Sequence, residues 1–274
     1  MSQPADGVDD SQVVDPHWKT LYIIAGVAAL LAVVVFRRNC GTELITFSGF
    51  GIFDVPEVHP VTASDWFMFL QDDNTVVGTL VALAVLDAVD LINYLLVGLI
   101  FLALYGALHR ANKGAMAIAT AFALVGIAVH SVSNQAFTML SLSDQYAAAA
   151  TDAQRAMFLA AGEARLAVHN PGTPYQGTGI TVSLFLVLLA GLIISIIMLR
   201  SSVFSKATAY VGILANGLAL THFVVLAFVS SPYVIAIPTA VSAPFRVTWY
   251  VLIALGLFRL AKGTPNQGAD STVG

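Results

Sequence analysis

The chain has 274 residues, of which 58% are apolar and only 10% are charged. Soluble domains carry about 25% charged residues, so this composition, with a mean hydropathy of +0.83, excludes an ordinary soluble fold. A single cysteine and a net charge of −4 exclude a disulfide-rich secreted domain and argue against a nucleic-acid partner. Because the charges lie between long apolar stretches, the sequence predicts an all-α polytopic membrane protein. Its predicted partner is the lipid bilayer in which it is embedded.

Six apolar stretches each have about the length that a bilayer core requires at about 1.5 Å per residue. They cover residues 21–36, 87–108, 115–138, 179–199, 207–230 and 244–260. The first stretch is short, but Trp18 and Lys19 extend it by anchoring at the interface. We interpret it as a retained span, because the segment before it is acidic and a signal peptide begins with a basic segment. We therefore predict an acidic flexible tail over residues 1–18, one membrane domain over 19–262 and a flexible tail over 263–274.

An even number of spans places both termini on one side of the membrane. Most of the 12 Lys and Arg residues flank the spans on that side, and the basic residues of the other side are mixed with acids. The positive-inside rule then predicts a cell-membrane protein with cytoplasmic N- and C-termini. Arg37 and Arg38, directly after the first span, go against this bias.

Two predicted outer segments have helix-start patterns. In the first outer loop, residues 66–70 form an aromatic, interfacial segment for which we predict Ser64 as the cap residue. In the second, Thr151 and Gln154 have the spacing of a capping box. This pattern predicts a helix from Asp152 to Val168 that rests on the outer surface.

Prolines interrupt the apolar stretch between the last two predicted spans. Pro232 and Pro238 lie within residues 231–243, and Pro244 suits the first turn of a helix. We therefore predict a re-entrant or interfacial turn over 231–243, followed by a last span that begins at Pro244.

Three tracts carry a resemblance to a known family. They are LIFLALYGALHR at residues 99–110, LSLSDQYAAAATDAQRAMFLAAGE at 140–163 and VFSKATAYVGILAN at 203–216. Over roughly residues 20 to 262 the chain resembles the domain of unknown function 4386 family of prokaryotic multipass proteins. The resemblance implies about six helices with cytoplasmic ends, and members of the family tolerate arginine after the first span. The resemblance implies no reaction. The Phe- and Gly-rich stretch at residues 46–53 departs from the family pattern.

Polar residues inside the spans are costly and are therefore the candidates for function. Counted from the basic residue at the cytoplasmic end of each span, most of these polar side chains lie at a common depth of about 20 to 28 Å, in the outer leaflet. Asp87, Asp90 and Asn93 recur every three residues, and His130 and Asn134 are four residues apart, so each set shares a helix face. The predicted ligand-binding pocket consists of Asp87, Asp90, Asn93, His130, Asn134, His222 and Arg246. Thr181 and Ser183 reach the same depth, whereas we interpret Tyr94 as an interfacial or core aromatic residue.

This polar layer is compatible with several functions. The first alternative is a binding or structural membrane component, in which the polar residues form an outer-leaflet pocket or only interhelical contacts. The second alternative is a carrier of small molecules or ions. A third alternative is an intramembrane hydrolase with a metal held by His130, His222 and Asp90. The sequence assigns no cofactor and no catalytic residue. A lipid or small-molecule ligand, a membrane-protein partner and a second copy of the chain all stay open as partners.

Overall fold

The computed structural model describes residues 18–36, 60–72, 88–171, 173, 175–229 and 231–263. Within these ranges the chain forms nine α-helices and no strand. The helices are α1 (Lys19–Phe36), α2 (Ala63–Asp72), α3 (Ala88–Leu108), α4 (Lys113–Ser133), α5 (Ala136–Ala148), α6 (Asp152–Leu166), α7 (Thr178–Leu199), α8 (Lys206–Phe228) and α9 (Pro232–Lys262). Nearly all of the two predicted tails, and also Arg37, Arg38, Asp87 and the 46–53 stretch, lie outside the described residues.

Five helical segments of the described chain are long and apolar enough to cross a membrane. They are α3, the α4–α5 segment, α7, α8 and the part of α9 from Ile237 onward, while α1 is a shorter apolar helix. A membrane core offers no water to the backbone, so each crossing segment must satisfy its own hydrogen bonds as a helix. The prediction of an all-α polytopic membrane protein is confirmed.

Six helices form a closed ring. Each of α1, α3, α4, α7 and α8 contacts its successor in the order α1, α3, α4, α7, α8, α9, and α9 returns to α1. Small residues permit these close approaches: Ala25, Ala29 and Ala32 are fully buried on α1. Short connections make α3 and α4, α7 and α8, and α8 and α9 antiparallel. The start of α1 lies beside the ends of α3 and α9, and the start of α7 lies beside the end of α4, so all neighbouring helices in the ring run in opposite directions.

The other three helices pack together at one end of the ring. Trp66 and Phe67 of α2 are fully buried against Met139 of α5 and Leu166, the last residue of α6. The Glu163 carboxylate accepts from the backbone N–H of Ala63 at 2.7 Å, which ties α6 to the start of α2. We call α2, α5 and α6 the cap, and we call the end of the ring where α4 ends and α7 begins the cap end.

The opposite end of the ring contains the start of α1 and the end of α9. Lys and Arg residues also flank the α3–α4 and α7–α8 connections there, at Arg110, Lys113, Arg200 and Lys206. We call this the basic end.

The helix starts in the cap follow from hydrogen bonding between side chains and backbone. The predicted Thr151–Gln154 capping box is confirmed, because both of its reciprocal bonds are present, and α6 ends at Leu166 rather than Val168. The prediction of Ser64 as a cap was wrong. Thr62 and Asp65 exchange hydrogen bonds of 3.1 and 3.2 Å instead, which places the cap two residues earlier.

The predicted turn before the last span was also wrong. Residues 231–243 do not form a turn: α9 runs unbroken from Pro232 to Lys262 with Pro238 and Pro244 inside it, and Pro232 takes the first turn. In apolar surroundings a turn would leave backbone groups unbonded, and this favours helix even across prolines. Within the predicted third span, α4 ends at Ser133 and α5 begins at Ala136, and the Asn134 side chain accepts from the Ala136 N–H at 3.0 Å between them.

Candidate functional site

The buried faces of three ring helices become polar toward the cap end. On α3, Asp90 and Asn93 extend the buried face two turns beyond Val97, and both are only 6% exposed. His130 continues the buried face of α4 in the same way and is 2% exposed. On α9, Arg246 lies one turn from buried Tyr250 and is 9% exposed. The buried carboxylate, imidazole and guanidinium groups of these three helices therefore all lie toward the cap end of the ring.

Tyr94 connects residues from four helices. Its ring stacks on that of His130, with centroids 3.8 Å apart and planes inclined by 10°. Asp90 and Arg246 both lie near its hydroxyl group, and the Ser183 side chain of α7 lies beside it. We call this set the polar centre: Asp90, Asn93, Tyr94, His130, Ser183 and Arg246. Three residues from the predicted pocket on three different helices, Asp90, His130 and Arg246, therefore lie around one tyrosine.

Close approach of α4 and α7 fixes part of this geometry. A Cβ atom at Gly126 would lie 3.0 Å from the backbone oxygen of Ser183 and 3.0 Å from a methyl group of Val187. Glycine at this position lets α4 approach α7 at the level of Ser183. The position of His130 relative to Ser183 therefore depends on a small residue one turn away.

Two oxygens of the polar centre are buried without a hydrogen-bond partner. They are Oδ1 of Asn93 and Oγ of Ser183. The Ser183 residue is fully buried, and its Oγ lies beside the Tyr94 hydroxyl group without the geometry of a hydrogen bond. Leaving such a group unsatisfied costs about 1–3 kcal/mol, and buried polar atoms in native proteins are nearly always bonded to protein, water or a ligand. These two oxygens therefore lack the hydrogen bonds that buried polar atoms usually make.

The remaining residues of the predicted pocket lie elsewhere. The His222 Nδ1 atom lies 3.1 Å from the Ile235 carbonyl oxygen. Ile235 precedes Arg246 by 11 residues on α9, which corresponds to about 16 Å along the helix axis. His222 therefore lies at the α8–α9 contact, much nearer to the start of α9 than Arg246 does. Asn134 acts as the cap between α4 and α5, and Asp87 lies outside the described residues.

Metal binding receives no support from this arrangement. Among the described residues, no group of three or more His, Cys, Asp and Glu side chains is placed to hold a metal ion. Asp90, His130 and His222 all belong to the described part of the chain. These three residues therefore do not form the metal site that the hydrolase alternative requires.

The pocket predicted from the sequence does not include Tyr94, and Ser183 enters the prediction only as a residue of similar depth. Tyr94 follows Asp90 by four residues, so the i,i+4 relation already placed it beside the predicted acid. Ser183 had no such local signal, because its position in the centre depends on the contact between α4 and α7.

The fold and the polar centre define a polytopic helical membrane protein with a polar site inside a ring of six helices. The family model of the domain of unknown function DUF4386 matches residues 61–263. The chain belongs to this family, which confirms the resemblance seen in the sequence. A search of curated proteins and a search of solved structures each gave no match.

Proposed function

We propose that this protein binds a small neutral or zwitterionic solute at the polar centre. The observation that carries the proposal is the pair of buried oxygens without hydrogen-bond partners, Asn93 Oδ1 and Ser183 Oγ, beside a buried acid and a buried arginine. A solute with both donors and acceptors would satisfy the two oxygens. With cytoplasmic termini, the site would lie in the outer leaflet.

Charge balance favours this class of solute over a simple ion. Among its described residues the centre contains one carboxylate, of Asp90, and one guanidinium, of Arg246. Inside a membrane an added net charge costs several kcal/mol, whereas a neutral or zwitterionic solute adds hydrogen bonds without net charge. The stacked rings of Tyr94 and His130 would provide a flat wall for the apolar part of such a solute.

The competing interpretation is that the same residues only hold the helices together. Two serines of α7 separate the alternatives. Ser195 is also fully buried, but its Oγ donates to the Gly191 carbonyl at 2.7 Å. Both Ser183→Ala and Ser195→Ala remove a serine oxygen from α7. The Ser183 oxygen lacks a hydrogen-bond partner, whereas the Ser195 oxygen has one.

The experiment is a thermal-unfolding titration of the detergent-purified full chain with glycine betaine, proline, glycine and urea. We expect at least one of these probes to raise the unfolding midpoint of the wild type and of Ser195→Ala. In Ser183→Ala the probe should bind about 3- to 10-fold more weakly, the equivalent of about 0.5–1.5 kcal/mol for one hydrogen bond. The binding proposal fails if no probe raises the midpoint, or if both variants lose the same affinity.

A carrier is the second candidate, because one of the two interior prolines of α9 lies near the polar centre. Pro244 lies two residues before Arg246, and a proline inside a helix removes one backbone hydrogen bond and favours bending. Bending of α9 there would move Arg246 relative to α3. In proteoliposomes, Pro244→Ala should slow uptake of the bound probe while its affinity stays the same; absence of uptake by the wild type would exclude the carrier.

A further inference from the structure

A groove between the first and last ring helices opens at the basic end, far from the polar centre. It has a volume of about 700 Å³, within the range of about 300–1,000 Å³ typical of ligand pockets. The groove is lined by Lys19, Ile23, Leu255, Phe258, Arg259, Ala261 and Lys262. Three of these seven residues are basic and none is acidic.

The lining changes from charged to apolar along the helix axes. Lys19 begins α1, and Arg259 and Lys262 occupy the last turn of α9. Ile23 lies one turn after Lys19, and Leu255 one turn before Arg259. Because α1 and α9 run in opposite directions, both apolar side chains lie on the same side of the three cations, toward the middle of the ring. Ile23 is 44% exposed and Leu255 is 50% exposed, so this wall of the groove is open to lipid.

Local structure holds the groove in place. A Cβ atom at Gly26 would lie 2.6 Å from the ring of Phe258, so glycine lets α1 and α9 approach at the floor of the groove. Gly263, with φ of 70°, ends α9 directly after Lys262 in the left-handed conformation that favours glycine. The two features fix the distance between the helices and the position of the last basic residue.

The geometry points to a binding site for an anionic phospholipid in this groove. The phosphate of the headgroup would contact Lys19, Arg259 and Lys262, and an acyl chain would lie along Ile23 and Leu255. Basic pockets between membrane helices attract anionic headgroups in this way. The order of charge and apolar surface matches that of a phospholipid in the leaflet at the basic end, whereas free phosphate would leave the apolar wall unused.

The test uses the full chain in a neutral detergent and measures lipid binding by native mass spectrometry. The probes are dioleoyl phosphatidylglycerol, dioleoyl phosphatidylcholine and inorganic phosphate. Lys19→Gln combined with Lys262→Gln removes two cations from the groove. The matched control, Lys113→Gln combined with Arg200→Gln, removes two cations elsewhere at the basic end. All four residues are exposed, so both double variants should fold.

We expect phosphatidylglycerol to bind the wild type and the control more tightly than phosphatidylcholine. Each cation near a lipid headgroup strengthens the binding of an anionic lipid. The groove variant lacks two such cations, so it should bind phosphatidylglycerol about 30-fold more weakly. Equal binding of the two lipids, or an equal loss in both double variants, would overturn the proposal. Inorganic phosphate that displaces phosphatidylglycerol at similar concentration would identify an anion site rather than a lipid site, and would overturn it as well.

Discussion

The contact between α7 and α8 provides the sharpest test of how this bundle is packed. Gly191 of α7 lies against the side-chain amide of Asn216 on α8, and Asn216 is 3% exposed. In Gly191→Ala the added Cβ would lie 2.5 Å from Oδ1, 2.8 Å from Cγ and 2.9 Å from Nδ2 of Asn216. Because all three atoms of the amide are too close, rotating the amide cannot relieve the overlap.

The magnitude follows from two opposing terms. Inserting a methyl group into a packed site costs about 1–3 kcal/mol, here by separating α7 from α8 or by breaking the 2.8 Å bond from Asn216 Nδ2 to the Gly212 carbonyl. Replacing glycine by alanine within a helix returns about 0.5–1 kcal/mol. The free energy of unfolding of Gly191→Ala should therefore fall by about 1 kcal/mol, within a range of about 0–2.5 kcal/mol.

The control is a second glycine in the same pair of helices. A Cβ atom at Gly217 of α8 would have no neighbour within 4 Å. Gly217→Ala should therefore leave stability unchanged or raise it by up to about 1 kcal/mol. Unfolding in mixed micelles with increasing dodecyl sulfate, followed by circular dichroism, measures both variants. If Gly191→Ala is as stable as Gly217→Ala, the described packing of α7 on α8 is refuted.

Three further predictions concern the cap and the orientation of the chain. Thr151→Ala should weaken the start of α6 by about 1 kcal/mol, seen as roughly fivefold faster hydrogen exchange at residues 153–155; unchanged exchange would argue against the capping box. Hydrogen bonds from the Thr62 side chain and backbone hold the pKa of the Asp65 carboxyl below its ordinary value of 3.8. These bonds therefore stabilise the start of α2 at pH values above 3.8, and this stabilisation is lost as the pH falls through the lower pKa of the folded state. An NMR titration should give a higher Asp65 pKa in Thr62→Ala, and an equal value in both proteins would contradict this cause. A reporter fused after Gly274 should be active only in the cytoplasm; activity outside would reverse the predicted topology.

The sequence by itself determined the class of fold and most of the helices. Apolar stretches of bilayer length and the scarcity of charge leave the helix as the structure that satisfies a backbone without water, and α3, α7 and α8 match the predicted spans closely. The capping box of α6 was equally readable, because both partners lie within one turn of sequence. The prolines of α9 led to the wrong prediction of a turn over residues 231–243. In water a proline can end a helix because the turn bonds to solvent, whereas a membrane core offers no solvent to the turn.

The tertiary structure decided which polar side chains meet. A rise of about 1.5 Å per residue gives the depth of each residue along its own helix, but not the direction in which its side chain points. That direction depends on which helices are neighbours, and the order of the ring places Ser183 beside Tyr94. The same order leaves His222 at the α8–α9 contact. Closure of the ring by α1 and α9 likewise places Lys19 and Lys262, which are 243 residues apart in the sequence, in the lining of one groove, and no local sequence pattern encodes that arrangement.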